Sequence, residues 1–204
     1  MVYLVTGGSG SGKSAYAESL LSGFEHIDNR YYIATMQVYG DEGKKRVERH
    51  RRLRAGKGFL TVEQTVQIGE AIEKFWIEES DERVKEKIDM QYTALNTAAA
   101  IVECVSNLTA NEMFDEKGQR SEQEVVDSVV LGLKQLAKSV QELVIVTNNV
   151  FDDGISYDES TMSYIRALAR INIELAKWAD EVTEVIAGIP VIWKKKNQEG
   201  KTDD

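Results

Sequence analysis

Near the start of the chain, Gly7-Gly8-Ser9-Gly10-Ser11-Gly12-Lys13-Ser14 combines small, permissive residues with one cation and one hydroxyl. Gly7, Gly12, Lys13 and Ser14 meet the spacing G-x-x-x-x-G-K-[ST] of a phosphate-binding loop. Glycines there let successive backbone N–H groups turn inward as an anion nest, which side chains would block. A helix starting near Gly12 adds the positive end of its dipole. Lys13 brings a full charge to the β and γ phosphates of a nucleotide, and the Ser14 hydroxyl is a ligand for Mg²⁺. The chemistry is phosphate handling; the motif does not name the reaction.

Two further residues stand out. Glu103 closes the apolar run Ala98-Ala99-Ala100-Ile101-Val102 and is the candidate metal-organising acid at the end of a neighbouring strand. An ordinary surface acid at a strand end is the other reading. Asp152 and Asp153 follow another strand and compete weakly for the same role. His50 lies in a basic block: residues 44 to 57 hold eight Lys or Arg against one acid, Glu48. On a helix, Val47 and Leu53 share its face, while Arg46, Arg49, Arg51 and Arg54 surround it. Such crowding favours the neutral, nucleophilic imidazole, and the same cations, Arg51 among them, suit a triphosphate. Spacing alone leaves open an incidental histidine and a solvated basic face. His26 sits in a polar loop and calls for no special role.

The elements that must position these residues alternate. Val2 to Thr6 reads as a buried strand running straight into the glycine loop, and Lys13 to Leu21 as the helix after it. Arg30 to Thr35 and Phe59 to Val62 read as strands, Asp41 to Arg54 as the helix carrying His50, and Gln64 to Glu79 as an amphipathic helix. Ala98 to Glu103 and Leu143 to Thr147 are central strands, and Gln123 to Ser139 and Ser160 to Trp178 are helices. Asp115 to Ser121 reads as a polar loop. Glu181 to Ala187 and Pro190 to Trp193 are joined too closely for a crossover, so they pair antiparallel. The expected fold is α/β, a P-loop, RecA-like, mostly parallel sheet flanked by helices and closed by that hairpin. A single domain over residues 1 to 196 is expected, with 197 to 204 a frayed tail.

Bulk properties fit this picture. The chain has 204 residues, 42% hydrophobic and 29% charged, with no apolar run of membrane-spanning length. A net charge of −9 argues against nucleic-acid binding over the whole surface. Cys104 is the single cysteine, so an internal disulfide is excluded. Met1 to Thr6 leads directly into the loop without room for a signal peptide, and a cytoplasmic protein is expected.

With these residues in place, the chain resembles the bifunctional adenosylcobinamide kinase / adenosylcobinamide-phosphate guanylyltransferase family of cobalamin biosynthesis. The likeness runs through LVTGGSGSGKSAYAESL, YYIATMQVYGDEGKKRVERHRRLR, VECVSNLTANEMF, VIVTNNV and RINIELAKWADEVTEVIAGIPVIWK. It implies phosphorylation of adenosylcobinamide by ATP or GTP, then transfer of GMP from GTP through a guanylylated histidine, which falls on His50. It also implies Mg²⁺, phosphate and metal roles for Gly7 to Ser14 and Glu103, and a homo-oligomer, often a trimer. The sequence departs from the family pattern at Gly43, at Asn149 and at Arg166. The last two positions lack a carboxylate that would bear on metal or substrate handling. Another small-molecule P-loop kinase, a member with one activity, and a nucleotide binder without turnover are the competing readings.

Overall fold

The computed structural model describes residues 1–25, 27–37, 57–75, 98–115, 118–150, 154–155 and 157–196. The expected helix over Asp41 to Arg54, the segment from 80 to 97 and the tail from 197 lie outside the described residues, as do His26, His50, Arg51, Asp152 and Asp153.

Strand β1 (Val2–Thr6) is followed by α1 (Lys13–Gly23), β2 (Asn29–Ala34) and β3 (Leu60–Glu63). A 3₁₀ turn at Ile68–Glu70 leads into the short α2 (Ala71–Lys74). Then come β4 (Ala98–Glu103), α3 (Val105–Met113), the two-residue strands β5 (Phe114–Asp115) and β6 (Gly118–Gln119), and α4 (Glu122–Lys138). The chain continues with β7 (Glu142–Val146), α5 (Glu159–Trp178), β8 (Glu181–Ile186) and β9 (Ile189–Lys195). Among the described residues seven strands form one sheet in the order β3-β2-β4-β7-β1-β8-β9. Every neighbouring pair is parallel except β8 with β9, the antiparallel hairpin expected around Gly188.

Continuous apolar strands follow from burial on both faces. Ala98, Ala100, Val102, Leu143 and Ile145 face one cluster, which includes Leu108 of α3, Val129 and Leu133 of α4, and Leu168 and Ile171 of α5. The alternate residues Ala99, Ile101, Val144 and Val146 face the other, with Ala17 and Leu21 of α1. Each fully buried Val, Leu or Ile contributes about 1.5–3 kcal/mol relative to exposure. Helix α4 starts where Ser121 and Glu124 form a capping box. Helix α5 starts where Asp158 Oδ1 accepts from the amides of Ser160 at 3.0 Å and Thr161 at 3.1 Å.

Three expectations are corrected. Asp115 to Ser121 is not simply a loop, because Phe114 and Asp115 pair antiparallel with Gln119 and Gly118. The helix expected from Gln64 begins late, and residues 76–79 lie outside the described ones. Gln64 Nε2 donates to Val66 O at 2.6 Å, and Gln67 sits at φ 50 with its amide on Glu112 Oε1 at 2.6 Å. That left-handed turn is incompatible with a helix through Gln67. Finally, residues 105 to 113, given no element from sequence, form α3. Its buried face is Val105, Ser106, Leu108, Thr109, Glu112 and Met113, a helical spacing obscured by two hydroxyls and one carboxylate. Among the described residues, no helix is long and apolar enough to cross a membrane.

Candidate active site

The carboxyl ends of the central strands lie in register. Ala34 of β2 pairs with Glu103 of β4, Glu103 with Val146 of β7, Val146 with Val5 of β1, and Val5 with Thr183 of β8. Chain leaving this row emerges on one side of the sheet, where ligands of open α/β sheets bind. Gly7 to Gly12 loop out from β1, and Lys13 opens α1.

Two glycines here have steric reasons. A Cβ at Gly7 would stand 2.6 Å from Val185 O and 2.6 Å from Ser11 Oγ. Gly12 caps α1 at φ 92, and a Cβ there would meet Gly188 Cα at 3.3 Å. The C-terminal hairpin therefore braces the loop: its turn has φ 50 at Ala187 and 82 at Gly188, and the Gly188 amide donates to Ser11 O at 2.8 Å. On the other side the Asn149 backbone N–H donates to Gly7 O at 3.2 Å. Ser9 and Gly10 are exposed at the crest.

Lys13 is 7% exposed, and its ammonium donates to Gly8 O at 3.0 Å. The Ser14 hydroxyl donates to Glu103 Oε1 at 2.8 Å. β4 is two strands from β1, about 10 Å across the sheet, so this contact depends on α1 lying over β7. Among the described residues no three His, Cys, Asp or Glu side chains gather as a metal cluster. A hydroxyl and a carboxylate are hard oxygen donors, and Mg²⁺ characteristically takes few protein ligands together with substrate phosphates and water.

Behind these groups lies a polar layer that sequence reasoning missed. Thr35 Oγ1 donates to Cys104 O at 2.8 Å. Asn111 Nδ2 donates to Thr35 O and to Thr65 O, both at 2.8 Å. The Asn148 amide donates to Ser106 Oγ, and Thr147 Oγ1 donates to Asn172 Oδ1 at 2.7 Å. Asn172 Nδ2 in turn reaches Asn148 O at 3.4 Å. Burial pushes the Cys104 thiol up, with Glu103 adding to the shift, which keeps it protonated rather than nucleophilic. Burial also pushes Tyr164 up to about 12, and its hydroxyl donates to Ser106 O at 3.3 Å. The only signal for this layer in the sequence is a set of polar residues just past strand ends.

A cleft of 530 Å³ opens beside the loop, between Gly8, Asn149 and Val150 on one side and residues at the start of α5 on the other. Arg166 is not part of its lining. The Arg166 guanidinium pairs with Glu122 Oε1 at 2.8 Å and Glu159 Oε1 at 2.5 Å on the outer surface. Of the three family departures, Gly43 lies outside the described residues, Asn149 is at the site and Arg166 is turned away from the cleft.

A solved structure, the ATPase domain of G40P, is 13% identical, covers 96% of this chain and 77% of that chain, and has a TM-score of 0.52. That likeness, with the parallel sheet and phosphate loop, identifies a P-loop ATPase fold. The bifunctional adenosylcobalamin biosynthesis protein CobU of Escherichia coli (strain K12) is 31% identical over 201 residues, 94% of this chain and 98% of that protein. The protein of the same name from Salmonella typhimurium is 29% identical over 203 residues, again 94% and 98% of the two chains. The family model described as cobinamide kinase / cobinamide phosphate guanyltransferase matches residues 3–80 and 73–192. The chain therefore belongs to the cobinamide kinase / cobinamide phosphate guanyltransferase family of cobalamin biosynthesis.

Proposed function

We propose that this protein carries out both reactions of its family on one domain spanning residues 1–196. In the first, the terminal hydroxyl of adenosylcobinamide attacks the γ-phosphorus of ATP or GTP. The new O–P bond forms as the bridging bond to the β-phosphate breaks; the nucleoside diphosphate leaves with the electron pair, and the hydroxyl proton passes to water. In the second, a nitrogen of His50 attacks the α-phosphorus of GTP and pyrophosphate leaves. A phosphate oxygen of adenosylcobinamide phosphate then attacks the same phosphorus. The N–P bond breaks, freeing the imidazole, and adenosyl-GDP-cobinamide is formed.

The observation that carries this reading is the Ser14 to Glu103 contact beside the Lys13 ammonium, 2.8 Å across two chain segments 89 residues apart. In this reading Gly7 to Gly12 hold phosphate oxygens, Lys13 holds the charge that develops on them, and Ser14 and Glu103 would hold Mg²⁺. That ion would supply charge neutralisation for the phosphates. Arg51, beside His50, would hold the triphosphate during guanylyl transfer, and the active form would be a homo-oligomer.

Incubation with α-labelled GTP and Mg²⁺ tests the less familiar half. An acid-labile, alkali-stable GMP adduct that disappears in His50→Ala is the expected result. No adduct on the wild-type protein overturns guanylyl transfer and leaves a kinase.

A further inference from the structure

We infer that Thr35 is a positioning residue for the kinase step: its hydroxyl and backbone N–H hold the end of β4 so that Glu103 meets Ser14. This rests on the reading in which Ser14 and Glu103 hold Mg²⁺, and adds to it what keeps the acid in place.

The ladder between β2 and β4 ends where Ala34 pairs with Glu103. Thr35 is the next residue, and its N–H, hydroxyl and carbonyl are all engaged. The N–H donates to Glu103 O at 3.0 Å, and Oγ1 donates to Cys104 O at 2.8 Å. The Thr35 carbonyl accepts from Asn111 Nδ2 at 2.8 Å, and the same nitrogen holds Thr65 O at 2.8 Å just past β3. Thr35 is thus fixed from α3, and it fixes in turn the carbonyls of Glu103 and of the residue after it. On its other edge Glu103 pairs with Val146 of β7. The acid is gripped from both neighbouring strands where α1 brings Ser14 Oγ to 2.8 Å from its Oε1.

Packing does not call for the Thr35 hydroxyl. The residue is 0% exposed, and a valine of similar shape would fill the space without burying a polar group. Cys104 O does not depend on it either, because that carbonyl also accepts from the Leu108 N–H at 3.2 Å as α3 begins. What the hydroxyl adds is a tether between the end of β2 and the residue that follows Glu103. Groups that orient a metal ligand from behind are worth about 10- to 100-fold in metal affinity or activity.

The test uses the full chain and the non-hydrolysable ATP analogue AMP-PNP, titrated by calorimetry with and without Mg²⁺. The quantity read is the ratio of the two affinities, which reports the metal rather than the stability of the fold. Thr35→Val removes the hydroxyl and keeps the branched shape, whereas Thr35→Ser keeps the hydroxyl. Thr35→Val should lower the ratio about tenfold. Its affinity for the analogue without metal should stay at the wild-type value, and Thr35→Ser should retain the ratio. In the kinase assay the same loss appears as a higher Mg²⁺ concentration for half-maximal rate. A Thr35→Val protein that melts at lower temperature but keeps the wild-type ratio overturns the inference, leaving Thr35 a framework residue. If Thr35→Val does not fold, Thr35→Ala, which also lacks the hydroxyl and adds no bulk, decides in the same way. Glu103→Gln separates the inference from the reading beneath it, since it should lower the ratio too. If it does not, or if Mg²⁺ leaves wild-type affinity unchanged, the metal reading falls and the inference with it.

Discussion

Ser14 and Glu103 meet at 2.8 Å although they start from strands separated in the sheet by β7. Helix α1 carries Ser14 over β7 to the end of β4, so the phosphate loop and the acid form one site only in the folded chain. Glu103→Gln keeps an oxygen to accept from Ser14 and removes the charge. We expect a fall in kinase kcat of about 10²–10³, typical of losing an electrostatic group at a transition state. The Mg²⁺ concentration for half-maximal rate should rise, while metal-free nucleotide binding persists. Turnover measured across a Mg²⁺ titration checks this.

Gly7 and Gly8 are neighbours with opposite steric surroundings. A methyl at Gly7 collides with Val185 O, a backbone atom that cannot swing aside, whereas a methyl at Gly8 meets nothing within 4 Å. Gly7→Ala should cost about 1–3 kcal/mol, and Gly8→Ala should stay within about 0.5 kcal/mol of wild type. Urea unfolding of the two variants measures the difference.

Asn172 acts behind the site. It accepts from Thr147 Oγ1 and donates to Asn148 O, and Thr147 is 1% exposed. Asn172→Leu leaves that buried hydroxyl without its acceptor, a loss of about 1–3 kcal/mol. It also frees the segment leading to Asn149, whose backbone N–H holds Gly7 O at 3.2 Å, so kinase kcat/KM should fall along with stability. Denaturation and kinase assays on the same preparation test both.

Hydrogen bonds from Ser160 and Thr161 hold the Asp158 carboxyl below the ordinary carboxylate range. A folded-state value depressed in this way stabilises the protein above the unfolded value and is lost as pH falls through the folded one. Asp158→Ala should therefore lower Tm by a few degrees at pH 5 to 8. The gap should narrow once pH drops below about 4, where the unfolded carboxylate protonates. Thermal melts of both proteins across that range check it. Because the group is fully exposed, solvent screening keeps the effect small.

Much of this was legible in the chain itself. The order of the strands along the sequence, the phosphate loop from Gly7 to Ser14, the acid at Glu103 and the hairpin around Gly188 all follow from local composition. Runs buried on both faces are continuously apolar, and a phosphate nest must be made of small residues. Helix α3 escaped because Thr109 and Glu112 sit on its buried face, where Arg120, Ser128 and the Gln67 amide satisfy the carboxylate. Such partners come from other elements, so no window of sequence contains them. Asn149 and Arg166 looked alike as lost carboxylates, but tertiary structure separates them: one lines the cleft, the other pairs with Glu122 and Glu159 outside it. Residue types and spacing determined that phosphates are handled here. Only the packing of α1, β7 and α5 decided which side chains share the site, because distance across a sheet is set by strand order and not by position along the chain.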